Sequence, residues 1–211
     1  MAQDTFAVDA ILDLAPVVPV LVLDDPETAV AIGRALVAGG LPALEVTLRT
    51  GRALDCIRAL AGLDGAVVGA GTILDGAQAK AAAEAGARFL VSPGATPQLV
   101  ADAEASGVPF LPGVATASEA MAMQERGYSR LKFFPAEFAG GASCLRSLAS
   151  PLPELRFCPT GGIDLAEAST YLALPNVACV GGSWVAPADA IKARDWTRIE
   201  TLAREAALLR R

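Results

Sequence analysis

This chain of 211 residues contains three lysines and no histidine. Imidazole is therefore excluded as base, acid or metal ligand, and lysine and carboxylate chemistry remain. Lys80 and Lys192 fall in helical or polar surroundings and read as solvated. Lys132 lies in Arg130-Leu131-Lys132-Phe133-Phe134-Pro135, a short apolar run that reads as a buried strand ending at a proline. A charged amine there is costly unless it is paired or loses its proton. Desolvation favours a neutral amine, and a neutral lysine is a nucleophile for carbonyl carbon. The competing reading is a lysine that packs its stem and sends its head into water. Lys132 sits near the carboxyl end of its strand, which favours chemistry over that fate.

Other polar residues fall at strand ends. In Glu45-Val46-Thr47-Leu48-Arg49, alternation puts Glu45, Thr47 and Arg49 on one face. If that face is the interior, a carboxylate and a guanidinium point toward the same space as Lys132. The structural alternative is a buried Glu45–Arg49 ion pair, and the strand alone leaves the two even. Gly69-Ala70-Gly71-Thr72 would let a ligand approach the backbone and adds a hydroxyl, a weak signal by itself. Ser92-Pro93-Gly94 and Pro112-Gly113 read as turns. Thr160-Gly161-Gly162-Ile163 and Gly181-Gly182-Ser183 are more pointed. Paired glycines expose backbone N–H groups, and a nest of amides with one hydroxyl can hold a phosphate. Two tight turns are the alternative.

Apolar runs alternate with alanine-rich helical segments from end to end. Strands are expected at 17–23, 43–48, 66–70, 88–91, 109–111, 131–134, 156–159 and 177–180. Several are continuous apolar runs, as strands covered on both faces should be. A helix over 26–38 begins with Asp25 as cap and Pro26 in its first turn, and stops at Gly39-Gly40. Segments 75–85 and 118–126 end before Gly86 and Gly127, and Asp164 precedes a helix over 165–172. A short extra helix is expected over 9–15 and a terminal amphipathic one over 195–209. Eight βα units predict a single (β/α)8 TIM barrel with an extra N-terminal helix, one domain over 1–211. A doubly wound open sheet is the competing architecture. In a barrel the site lies at the carboxyl ends of the strands, and the loops after strands seven and eight frequently hold phosphate.

The hydrophobic fraction of 53% supports a large core, and the net charge of -6 lacks the basic footprint of a nucleic-acid binder. No apolar run is long enough to span a membrane. The first residues carry no basic region followed by an apolar stretch, so no signal peptide is expected, and the chain reads as cytoplasmic. Cys56, Cys144, Cys158 and Cys179 show no metal-ligand spacing and read as unpaired thiols, with Cys158 and Cys179 inside apolar strands.

These segments together resemble the bacterial 2-keto-3-deoxy-6-phosphogluconate (KDPG) aldolases, the class I lyases of the Entner–Doudoroff pathway. The resemblance is carried by Pro16-Val17-Val18-Pro19-Val20, Leu44-Glu45-Val46-Thr47-Leu48-Arg49-Thr50, Val68-Gly69-Ala70-Gly71-Thr72, Lys132-Phe133-Phe134-Pro135-Ala136-Glu137, Phe157-Cys158-Pro159-Thr160-Gly161-Gly162-Ile163 and Gly181-Gly182-Ser183-Trp184. It implies an (α/β)8 barrel, a homotrimer, and no metal or organic cofactor. It implies Lys132 as the Schiff-base lysine and Glu45 as general acid/base. Arg49 and Thr72 would hold the pyruvyl carboxylate. Phe134, Thr160 and Pro93 would line the pocket around the imine, and Gly161, Gly162 and Ser183 would hold the phosphate. The related phosphogalactonate aldolases differ around the Glu-Val-Thr-Leu-Arg and Cys-Pro-Thr-Gly-Gly segments. The expected reaction releases pyruvate and glyceraldehyde 3-phosphate, with 4-hydroxy-2-oxoglutarate as a further substrate. A phosphosugar isomerase or epimerase on the same barrel is the alternative, with Glu45 as base and Lys132 as a fixed charge. A non-catalytic binder of phosphorylated metabolites ranks below both.

Overall fold

Strands and helices alternate through most of the computed structural model, which describes residues 5–209, with side chains from Val8 onward. Residues 1–4, read above for signal-peptide features, lie outside the described residues. The elements in chain order are α1 (Thr5–Leu12), β1 (Val17–Leu21), α2 (Pro26–Ala38), β2 (Ala43–Thr47), α3 (Ala53–Ala61), β3 (Val67–Gly71), α4 (Gly76–Glu84), β4 (Leu90–Val91), α5 (Pro97–Ala105) and β5 (Phe110–Leu111). They continue with β6 (Gly113–Val114), α6 (Ala117–Glu125), β7 (Arg130–Phe133), α7 (Gly141–Leu148), β8 (Arg156–Pro159), α8 (Leu165–Leu172), β9 (Val180–Gly182), α9 (Ala188–Ala193) and α10 (Trp196–Ala207).

The helix starts follow local chemistry. Asp25 accepts the Thr28 backbone N–H at 2.8 Å, with Pro26 in the first turn of α2. Asp75 accepts from Gln78 in the same way. Thr116 with Glu119, and Asp164 with Glu167, form reciprocal capping boxes that satisfy otherwise orphaned amides. Gly40 adopts φ 92° after α2, a conformation that a side chain would strain.

All strand pairs are parallel. A curled six-stranded sheet runs in the order β5-β4-β3-β2-β1-β9, and β6-β7-β8 form a three-stranded sheet. The fifth expected strand, 109–111, is found as β5, and a second short strand, β6, follows it. Pro112 lies between them; it has no N–H to donate, and its carbonyl accepts the Lys132 N–H at 2.9 Å. β5 therefore pairs with β4, and β6 pairs with β7. Gly113, read from sequence as a turn, is a strand residue paired with Lys132. The eighth expected strand, 177–180, is shifted: β9 begins at Val180, and Val177 makes only an isolated bridge to Phe157. A second bridge joins Thr160 to Gly181. The first helix covers Thr5–Leu12 rather than 9–15, and α9 was not expected.

Two apolar clusters show which way each side chain points. Leu44, Val46, Val68, Ala70, Leu131, Phe133, Phe157 and Val180 pack toward the helices. Val18, Ala43, Phe89, Val91, Leu111, Cys158 and Cys179 pack on the opposite, concave face, and Val8 and Leu12 of α1 cover them. Alternation then puts Glu45, Thr47, Gly71, Lys132, Thr160 and Gly181 on the concave face as well. Cys158 and Cys179 are buried, as expected, and burial pushes the Cys56 thiol up to about 11. Among the described residues, no helix is long and apolar enough to cross a membrane.

Candidate active site

Every residue of β2 is buried, yet its middle residue is a glutamate. Glu45 is 3% exposed and Lys132 5%, and Lys132 Nζ lies 3.0 Å from Glu45 Oε1. The lysine head is enclosed, so it does not snorkel. Glu45 pairs with Lys132 rather than with Arg49, as the structural alternative would have it. A buried ion pair costs much of what its attraction returns, so stability alone is a poor reason to keep one. Below it lies the apolar concave cluster. Above it the Phe134 ring centroid stands 5.5 Å from Nζ. The pair therefore has few routes to water, and a proton on one partner has the other as its near acceptor.

Missing side chains make the room. A Cβ on Gly71 would fall 2.1 Å from Glu45 Oε1. The sequence reading gave that space to a ligand; the carboxylate occupies it. A Cβ on Gly113 would meet the Pro93 carbonyl carbon at 2.4 Å, so the bare strand lets the half-buried Pro93 loop close over the residue paired with Lys132. A Cβ on Gly181 would meet Thr160 Oγ1 at 2.2 Å. Thr160 is buried, its N–H donates to the Phe133 carbonyl at 2.9 Å, and it shares the face of Lys132.

Arg49 follows β2 and its side chain is exposed. Its Nε donates to Thr47 Oγ1 at 3.1 Å. Thr72, half-buried at the end of β3, has φ 60°, a left-handed conformation that costs a threonine strain and is common at functional sites. Gly161 and Gly162 have φ 104° and 82°. A Cβ on Gly161 would press on the Phe134 ring, and one on Gly162 would lie 2.8 Å from Glu137 Cγ. Glu137 accepts a hydrogen bond from Tyr171. Burial first, then that bond, push the Tyr171 phenol up, so it remains a donor. Gly182 carries the Trp184 ring against its bare face, and Ser183 is exposed.

The structure thus joins Lys132, Glu45 and Phe134 directly, and ties Thr160 to their strand through Phe133. Thr72, Pro93, Gly161, Gly162 and Ser183 each follow the carboxyl end of a strand. Sequence reasoning gave no role to Thr47, Gly113, Glu137 or Tyr171. Alternation had already put Thr47 on the correct face; nothing in the spacing signalled the pairing of Glu137 with Tyr171. A buried amine beside a carboxylate, with an arginine at the rim, is equipped for imine chemistry on a keto acid.

The sequence pattern described as KDPG and KHG aldolase matches residues 8–202. The chain belongs to the KDPG and KHG aldolase family. Its similarity to the KHG/KDPG aldolase of Escherichia coli K12 is 50% identity, covering 94% of this chain and 93% of that one. Among solved structures, the KDPG aldolase of Legionella pneumophila, with pyruvate captured at low pH as a covalent carbinolamine, superposes with a TM-score of 0.92 at 42% identity, covering 94% and 97% of the two chains. The KDPG aldolase of Zymomonas mobilis ZM4 with 3-phosphoglycerate gives 0.93 at 48%, covering 100% and 98%. All ten residues singled out from sequence fall inside the span matched by the KDPG and KHG aldolase family.

Proposed function

We propose that this chain is a class I aldolase that cleaves KDPG to pyruvate and glyceraldehyde 3-phosphate in the Entner–Doudoroff pathway. The observation that carries the reading is the enclosed contact of Lys132 Nζ with Glu45 at 3.0 Å. Glu45 takes a proton from the amine, and the freed nitrogen attacks the C2 ketone. The carbinolamine loses water, with Glu45 returning the proton to the departing hydroxyl, and an iminium forms. Glu45, acting through a water, then removes the proton from the C4 hydroxyl. The C3–C4 bond breaks, its electrons flow into the iminium, and glyceraldehyde 3-phosphate leaves. The pyruvate enamine is protonated and hydrolysed. Lysine, carboxylate and water supply every step.

Arg49 and Thr72 hold the pyruvyl carboxylate, Arg49 with paired charge-assisted hydrogen bonds. Phe134, Pro93 and Thr160 wall the imine. Gly161, Gly162 and Ser183 take the phosphate; two successive bare glycines at positive φ let an anion approach the backbone closely, which supports that role. The Legionella and Zymomonas complexes, with pyruvate and 3-phosphoglycerate, support the two ends of this assignment. The double name of the Escherichia coli relative supports 4-hydroxy-2-oxoglutarate as a further substrate.

The two sheets form one closed (β/α)8 barrel in a single domain over 1–211. Only Pro112 separates β5 from β6, and the Thr160–Gly181 and Phe157–Val177 bridges support closure on the other side. The chain assembles as a homotrimer in the cytoplasm. Phe138, 87% exposed, is a side chain that a subunit contact would cover.

Borohydride added with pyruvate tests the mechanism. A covalent mass on Lys132 is expected, and Lys132→Ala should lose both the adduct and retro-aldol activity. Glu45→Gln should cripple turnover by roughly a hundredfold or more while still allowing some trapping. Full activity in Lys132→Ala would reject the lysine mechanism, and normal turnover in Glu45→Gln would reject the base. An active enzyme untouched by borohydride and pyruvate would favour the isomerase class.

A further inference from the structure

The hydroxyl of Thr47 takes part in two hydrogen bonds that link β1, β2 and Arg49. Thr47 is the last residue of β2, buried, on the face shared by Glu45. Its hydroxyl donates to the Leu21 carbonyl at 2.8 Å. The same oxygen accepts the Arg49 Nε–H at 3.1 Å. A hydroxyl has one proton, and a carbonyl can only accept. The proton is therefore committed to Leu21, and a lone pair is left aimed at Arg49. The Leu48 N–H, between the two residues, donates to the Gly71 carbonyl at 2.8 Å and fixes the backbone. Thr50, on the other side, donates to the Leu23 carbonyl. An exposed arginine, ordinarily free among many rotamers, is thus pinned at its root and at Nε.

We infer that Thr47 is a positioning residue that orients Arg49 for the substrate carboxylate; this rests on the aldolase reading above. With Nε engaged by Thr47, the side-on edge of the guanidinium is closed to an anion. The two terminal NH2 groups remain, and they match a carboxylate end-on. Thr47 acts on the affinity for the charged end of the substrate and not on the chemistry at the imine.

Borohydride trapping at Lys132, titrated with pyruvate and with uncharged pyruvamide, tests this in wild type, Thr47→Val, Thr47→Ser, Arg49→Gln and the Thr47→Val/Arg49→Gln pair. Thr47→Val should raise half-saturation by pyruvate roughly tenfold, the worth of a hydrogen bond to a charged group. It should leave pyruvamide trapping unchanged, and Thr47→Ser should restore wild-type saturation. In the Arg49→Gln background, Thr47→Val should add nothing. Unchanged pyruvate saturation in Thr47→Val overturns the inference, as does an equal loss for both ketones or a full additive loss in the pair. If Thr47→Val does not fold, Thr47→Ala is read by the same criteria. If Arg49→Gln itself leaves pyruvate saturation unchanged while Lys132 still labels, Arg49 does not bind the carboxylate. The inference then falls with that assignment, and the lysine chemistry stands. If Lys132 takes up neither ketone in active wild-type protein, the aldolase reading itself has failed.

Discussion

Replacing Gly71 with alanine tests whether the pocket behind Glu45 is shaped to the ångström. Gly71 lies within β3, where alanine adopts the backbone readily. The added methyl would fall 2.1 Å from Glu45 Oε1, 2.6 Å from its Cγ and 2.7 Å from its Cδ. Ordinary contact begins at 3.4 Å, so the carboxylate must withdraw by roughly 1.3 Å. It cannot do so and keep its 3.0 Å contact with Lys132 Nζ unless the lysine follows. A misplacement of about 1 Å at a reacting group costs on the order of a hundredfold in rate, or about 2.7 kcal/mol of barrier. We expect kcat/KM of Gly71→Ala to fall by about that factor, measured as pyruvate release from KDPG. Gly62→Ala, where nothing lies within 4 Å of the new Cβ, should retain wild-type activity. Gly71→Ala with activity within about a factor of two of wild type would show that the site tolerates Glu45 elsewhere. The positional argument for its role would then be wrong.

Two further outcomes follow from the same geometry. Lys132→Met should destabilise the fold by about 3–5 kcal/mol in urea titrations, because it strands Glu45 buried and unpaired, and adding Glu45→Gln should recover most of the loss; equal stability of Lys132→Met and wild type would contradict the enclosed pair. Hydrogen bonds from Thr28, the side-chain one first, hold the Asp25 carboxyl below its ordinary value of 3.8. The folded state thus binds that proton less tightly than the unfolded chain, so the cap stabilises α2 above this range and fades as pH falls through it. Asp25→Ala should therefore lower the urea midpoint clearly at pH 7 and only slightly at pH 3, and a gap that widens on acidification would refute the capping role.

The chemistry-bearing strands were legible because burial forces a choice. An amine within Leu131-Lys132-Phe133 must be paired or exposed, and a glutamate between Leu44 and Val46 must meet a partner. Helix starts at Asp25, Asp75 and Asp164 were legible because a cap needs only its own neighbours. The displaced eighth strand was not legible. Hydrophobicity marks Val177 to Val180, whereas Gly181 and Gly182 have no side chain to read. Register with Val18 and Pro19 of β1 is what makes them strand. Gly113 was missed for the same reason: a close approach to Pro93 and a turn both call for glycine, and only tertiary contact tells them apart. The role of Thr47 depended on which carbonyl its proton finds, and Leu21 lies on a different strand.

Helix α1 covers the concave cluster through Val8 and Leu12, and it is tied to β7 where Asp9 Oδ1 meets Arg130 Nε at 2.6 Å. Arg130 begins the strand, and Lys132 lies two residues nearer its other end. A support attached through α1 itself would therefore sit against the floor of the molecule, with the substrate entrance turned toward bulk solution. Such immobilised protein should keep its turnover.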